Sequence, residues 1–308
     1  MAITATTRIS LGPVLYYWSR DELLDFYARI ADTEVDIVYL GETVCSKRRA
    51  LRSEDWMRLG ERLSAAGKEV VLSTLTLIES GSELGAMKKL CDIGRFSIEA
   101  NDMGAVNMLS GKHAFVTGPS VNIYNPCTLK VLADRGLKRW VLPVELSCES
   151  LAEMQRQRPE GVETEVFVYG RLPLAYSARC FTARAHNLPK DDCQFRCLDY
   201  PDGLLLSTRE SEDLLVLNGI QTQSAKSCNL IAEIDDMLEL GVNVLRISPQ
   251  SRHTERIVHT FHRRLNGDCS SDEAVNVLET LMPGSSCNGY WYGASGMDTC
   301  KTSEAVCP

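Results

Sequence analysis

The chain has 308 residues and contains no run near the roughly 18 to 20 apolar residues that a bilayer-spanning helix needs. Its start, "MAITATTRISLGPVLYYW", lacks a basic leader, a long apolar stretch and a small-residue cleavage site, which predicts a cytoplasmic protein with no membrane span. Excess positive charge is missing too. With 33 basic against 41 acidic residues the formal charge is −8, and the one basic block is "SKRRALR" from Ser46 to Arg52, a balance that argues against a general nucleic-acid binder. No Gly-x-Gly-x-x-Gly follows a strand pattern, so a dinucleotide-binding open sheet has no support. Neither His-Glu-x-x-His nor Gly-x-Ser-x-Gly occurs, which removes the commonest zinc and serine hydrolase signatures. Internal repeats, low-complexity tracts and an interdomain linker are also missing.

Cysteine, by contrast, is plentiful. Twelve are present. A reducing compartment disfavours disulfides, so a clustered subset is better explained by metal binding or redox chemistry. The cluster is "RCFTARAHNLPKDDCQFRC", Arg179 to Cys197, whose Cys193 and Cys197 lie among Asp191, Asp192, Gln194, Arg196 and Asp199, poor surroundings for thiols packed as small hydrophobes. Of the scattered cysteines, 91, 127 and 148 read as buried packing residues, while Cys287, Cys300 and Cys307 lie in a Gly/Ser-rich tail as surface thiols.

Short β-branched runs alternate with amphipathic helical stretches. Strands are expected near residue 10 and at 35–41, 69–74, 96–100, 114–118, 139–144, 165–170 and 242–248; helices at 20–31, where Ser19 and Glu22 form a capping box, and at 53–66, 83–93, 102–110, 127–135, 148–157 and 229–240. Eight strands with intervening helices predict an α/β fold of the (β/α)8-barrel type, a single domain over 1–308. From 171 to 226 the rhythm breaks into a cysteine-rich loop followed by "GLLLST" and "LLVLNGIQTQSAKS", read as a hairpin inserted before the last barrel strand; 250–308 adds C-terminal helices and a tail.

Barrel chemistry sits at the C-terminal strand ends. That rule nominates Glu42, Glu99, Asn101, Arg171 and Arg246 as substrate-binding candidates, the two arginines for carboxylates. Capping or surface ion pairing is the plainer role for each. The same rule puts Cys45 on the face of the 180–197 loop, so Cys45, Cys180, Cys193 and Cys197 can converge. Their spacing is compatible with an iron–sulfur cluster, with zinc, or with no metal. His186 is not needed as a ligand. His253, His259 and His262 share a helix with Arg252, Arg256, Arg263 and Arg264, a basic surface facing solvent or a partner, while "GYWYG" (289–293) suits a lid over an aromatic ring or a packed tail.

The segment "EVFVYGRLPLAYSARC" (Glu165 to Cys180) resembles the signature of the collagenase-like peptidase superfamily, and "LGPVLYYW", "IEANDMGAVNML" and "CNGYWYG" agree with it. Arg171, Pro173 and Ala178 depart from the pattern at a small residue, a cysteine and a glycine. Within that family, "GETVCSKRRAL" with Cys180, Cys193 and Cys197 is similar to a branch acting in dioxygen-independent ubiquinone biosynthesis. The resemblance implies a 4Fe-4S cluster on Cys45, Cys180, Cys193 and Cys197, Cys45 taking over from the cysteine lost at Pro173. It also implies a heterodimer with a homologous UbiU-like subunit. The pair would hydroxylate a prenylated aromatic ubiquinone precursor with prephenate as oxygen donor, and a lipid-carrier protein is a further partner of that reading. A non-catalytic scaffold subunit with a structural metal site is the alternative, and an RNA hydroxylase or peptidase-like relative a weaker one.

Overall fold

The computed structural model describes residues 7–300. Cys307 lies outside them. Eight parallel strands form a ring: β1 (Arg8–Leu11), β2 (Ile37–Leu40), β3 (Glu69–Ser73), β4 (Ser97–Ala100), β5 (Phe115–Thr117), β6 (Leu137–Val141), β7 (Glu163–Tyr176) and β11 (Val244–Ile247), the last hydrogen-bonded to both β7 and β1 so that the barrel closes. Helices α1 (Arg20–Ile30), α2 (Ser53–Ala65), α3 (Gly81–Cys91), α4 (Met103–Leu109), α5 (Pro126–Ala133) and α6 (Cys148–Arg156) cover the outside. Each starts where local chemistry favours it. Ser19 and Glu22 form the expected capping box on α1, Ser80 and Glu83 form another on α3, and Asn125 caps α5 ahead of Pro126, whose missing N–H costs nothing at the first helical position.

β7 departs from the expected 165–170 by running on to Tyr176. Its first half belongs to the barrel; beyond Gly170 it leaves the ring and pairs antiparallel with β10 (Gln221–Asn229), Ser227 opposite Arg171 and Gln221 opposite Tyr176. Gly170 makes the exit possible. Its φ is +126°, and a Cβ there would meet the Ser248 Cβ at 2.6 Å. β9 (Asp213–Asn218) and β8 (Leu204–Ser207) extend this arm, so the insertion holds three strands instead of a two-stranded hairpin. The run "LLVLNGIQTQSAKS" is two strands, divided at Gly219 and Ile220 with Asn218 opposite Gln221. Because β10 continues to Asn229, the helix expected from 229 starts later, as α8 (Ile234–Glu239).

Helices α9 (Thr254–Leu265) and α10 (Ser271–Glu279) pack at the end, with Ile257, Val258 and Phe261 fully buried. Part of the basic side of α9 is used within the chain, Arg264 pairing with Asp235, Arg263 with Glu273 and His259 with Glu34, while Arg252 and Arg256 stay exposed. The apolar face of α9 is docked on the barrel. Among the described residues no helix is long and apolar enough to cross a membrane.

Candidate functional site at the C-terminal rim of the barrel

The loop after β2 is held from below and from the side. Glu42 Oε1 accepts the Val44 and Cys45 amides at 2.8 and 3.0 Å, tying the turn that carries Cys45. Arg48, 5% exposed, donates to the Leu15 carbonyl and to Asn218 Oδ1, both at 2.7 Å, fastening this loop to the insertion. Lys47 reaches across to the Lys190 carbonyl at 2.8 Å and to Asp191 at 2.9 Å. The only basic block thus clamps one loop onto the cysteine loop, an intramolecular use of charge. Glu42 does not line the central cavity, so its position matches the capping role.

The cysteine loop is folded into short turns. Cys180 precedes α7 (Phe181–Ala185), and its Sγ accepts the Ala183 amide at 3.4 Å. Gln194 and Phe195 both take left-handed φ, 49° and 51°, which bends the chain between Cys193 and Cys197. Cys45, Cys180, Cys193 and Cys197 are all partly buried. Cys45, Cys180 and Cys197 lie within electrostatic reach of one another, and Lys47 within reach of both Cys45 and Cys193. Burial pushes the Cys45 and Cys197 thiols above the ordinary cysteine range, and Arg48 opposes that rise at both. Four sulfur donors beside two cations, with an N–H···S bond at one of them, make a donor set suited to an anionic metal–thiolate centre. Among the described residues, no three His, Cys, Asp or Glu side chains approach closely enough to hold a single metal ion.

Next to the thiols, inside the rim, is a cavity of about 400 Å³. Leu15 and Tyr176 line it and also belong to the apolar cluster that packs Cys45 and Cys180. Arg246 forms its charged floor. The guanidinium bonds Glu165 through Nε and Glu99 through Nη1, each at 2.7 Å, and stacks 4.0 Å over the Tyr39 ring. Nη2 of this buried side chain has no hydrogen-bond partner. Burial works against the Arg246 charge, and the two carboxylates outweigh it, so the group stays firmly protonated. Burial likewise opposes the Glu165 carboxylate, and Arg246 and Arg139 hold it below the usual carboxylate range. Glu99 also accepts from Ser73 at 2.6 Å and from the Asn101 amide at 3.2 Å. Asp102 caps α4 by accepting the Gly104 amide.

The structure therefore sorts the nominated residues. Glu99, Asn101 and Arg246 line the cavity; Arg171 does not. Its Nη1 bonds the Ser224 and Ala225 carbonyls and its Nη2 the Pro283 carbonyl at 2.9 Å, joining the β7 extension to β10 and the C-terminal segment. Strand β7 does not end at Arg171, so the residue marks no rim. Cys127, expected to be buried, is exposed, and Cys287, expected at the surface, is buried. Glu165 and Tyr176 were not singled out by sequence. Glu165 is fully buried and accepts from Ser10 and Tyr39 as well as Arg246; a carboxylate amid a β-branched strand is the signal that marks it. Burial pushes the Tyr176 phenol up to about 12, and it accepts from Gln221 at 2.7 Å. In "GYWYG", Trp291 is buried, Tyr292 donates to Glu233 and Tyr290 faces the cavity, so the aromatic segment is an anchored wall.

Curated relatives share part of this chain. The "tRNA hydroxylation protein P" of Escherichia coli is 35% identical over 99 residues, 30% of this chain and 21% of the relative. That of Helicobacter pylori strain J99 is 29% identical over 143 residues, 42% and 33% of the two chains, and "tRNA hydroxylation protein P1" of Bacillus subtilis is 26% identical over 152 residues, 46% and 34%. The chain thus spans between 21% and 34% of the length of these three. Among solved structures, the U32 peptidase Mk0906 is similar with a TM-score of 0.44 at 9% identity, over 80% of this chain and 94% of that one. A family profile described as peptidase family U32 matches residues 20–294, and the chain belongs to that family.

Proposed function

We propose that this chain is the cluster-bearing subunit of an oxygen-independent hydroxylase that acts on a prenylated aromatic ring in ubiquinone biosynthesis. Cys45, Cys180, Cys193 and Cys197 would hold a 4Fe-4S cluster, and a homologous UbiU-like subunit would complete the enzyme. When bound, such a cluster supplies one-electron transfer. The observation that carries the reading is the unpartnered Arg246 Nη2 in a cavity whose Leu15 and Tyr176 wall also packs Cys45 and Cys180. Arg246 offers the free donor to an anionic or oxygen-bearing group of a small ligand, with prephenate, a dicarboxylate, as the proposed oxygen donor. Phe167 and Tyr290 offer apolar faces to a ring. Glu42 and Arg48 hold the Cys45 loop in place, and Tyr176 screens the thiols from the cavity.

The names of the curated relatives favour a second reading, hydroxylation of tRNA. A chain of charge −8 whose Lys47 and Arg48 are spent on internal contacts supports the small-molecule substrate better. Co-expression with the UbiU-like homologue under anaerobic conditions, size-exclusion chromatography and assay of the pair on a prenylated phenol precursor test the proposal. Co-elution and a hydroxylated ring are expected. Separate elution, or hydroxylated nucleosides in RNA with no change in the phenol, would overturn it.

A further inference from the structure

The cavity does not end at the barrel rim. A groove of about 540 Å³ continues sideways between α4 and α5, sharing Thr76, Asn101, Ser120 and Asn122 with the cavity wall. Its outer part is apolar where a helix surface would ordinarily be polar. Met103, the first residue of α4, is 58% exposed, and Val131 on α5 is 54% exposed; buried Val121 and Leu132 form the floor between them. Asp102 is the only lining residue with a formal charge, and its carboxylate is engaged with the Gly104 amide. A charged, aromatic-walled chamber therefore opens into a channel whose outer part carries exposed apolar side chains at the surface.

We infer that the cavity and the α4–α5 groove form one continuous site for an amphiphile, the ring and its polar substituents in the cavity and an isoprenoid tail along Met103 and Val131. The inference rests on the prenylated ring substrate proposed above and adds where its tail lies. Continuity selects this occupant. A tail attached to a ring over Arg246 leaves the cavity at the barrel's C-terminal rim, and the exit past Thr76, Asn101, Ser120 and Asn122 has apolar side chains exposed along it. Burying an isoprene unit against such a surface removes apolar area from water and raises affinity with each unit added. A protein partner at the same place would cover Met103 and Val131 without depending on the cavity.

Binding of a phenol carrying none, one or three isoprene units to the full chain, followed by isothermal titration, reads this directly. Affinity should rise about tenfold or more from the tail-free to the three-unit compound. In Val131→Glu and Met103→Glu the ratio should fall to about one, while Val131→Leu keeps it. Both acidic substitutions sit at exposed positions, and a thermal melt checks that each variant folds. A tail-length ratio unchanged in the acidic variants would overturn the inference, as would no rise in affinity with tail length in the unmodified chain. A change of oligomeric state in the variants with the ratio intact would also overturn it and assign the groove to a protein partner. Tail-dependent binding that behaves as expected but yields no hydroxylated product would leave the groove standing and remove the hydroxylase reading.

Discussion

Replacing Arg246 by Met tests the physical account of the cavity floor. Arg246 is 3% exposed and its two partners, Glu165 and Glu99, are 0% and 1% exposed, so the substitution leaves two carboxylates in the barrel interior without this cation. Removing one partner of a buried ion pair costs about 3–5 kcal/mol. Losing two pairs does not double this, because Glu165 keeps the Ser10 and Tyr39 hydroxyls and Glu99 keeps Ser73 and the Asn101 amide. For a domain of this size the same figure corresponds to a fall in Tm of roughly 6–10 °C. The pH dependence has a definite sign. In the unmodified protein the Glu165 pKa is depressed, so its contribution is full above the unfolded carboxyl value of about 4.3 and is lost only as pH falls through the lower folded value. Without Arg246, burial dominates and raises that pKa above the unfolded value, giving a penalty at pH 7 that fades as the group takes a proton. Urea unfolding of both proteins from pH 7 to pH 5 should show a stability gap that narrows on acidification, and Arg246→Met/Glu165→Gln should recover part of it. A gap under about 1 kcal/mol at pH 7, or one that widens toward pH 5, would refute the reasoning.

Substitutions at two further positions separate roles that geometry brings close together. Glu42→Gln should keep iron content near that of the unmodified chain, because an amide oxygen still accepts the Val44 and Cys45 amides, whereas Glu42→Ala should lower it and cost about 1–2 kcal/mol; loss of hydroxylation in the Gln variant with iron retained would instead mark Glu42 as a proton donor. Gly118→Ala would place a Cβ 1.8 Å from Asn101 Oδ1, so Asn101 must leave the cavity wall and release its bonds to Thr74 and Glu99. Weaker ligand binding with the barrel still folded is the expected outcome, read by titration and a thermal melt, and unchanged affinity would argue that Asn101 does not shape the site.

The barrel was legible because most of its strands are short apolar runs and several of its helices open on a side-chain cap, as at Ser19, Ser80 and Asn125. The insertion was harder to read because strand-forming residues run through both halves of "LLVLNGIQTQSAKS"; Gly219, first of the two turn residues and at φ +67°, was the clue to the break. Arg246 followed from the strand-end rule because β11 does end at Ile247. Arg171 misled for the converse reason, since Gly170 turns β7 out of the barrel instead of ending it. Glu165 escaped because its ion pairs come from Arg139 on β6 and Arg246 on β11, far away along the chain, and no local pattern records them. The pairing of the Cys45 loop with the cysteine loop through Lys47, and with β9 through Arg48, is likewise a long-range contact, visible only once the barrel brings these segments to one rim.

The proposed 4Fe-4S cluster on Cys45, Cys180, Cys193 and Cys197 is open to iron and acid-labile sulfide analysis of the anaerobically purified chain, alongside its visible spectrum. About four iron and four sulfide per chain are expected, with absorbance near roughly 400 nm, loss of both in Cys45→Ala and retention in Cys91→Ala. One equivalent of zinc with no sulfide, or full iron and sulfide in Cys45→Ala, would contradict it.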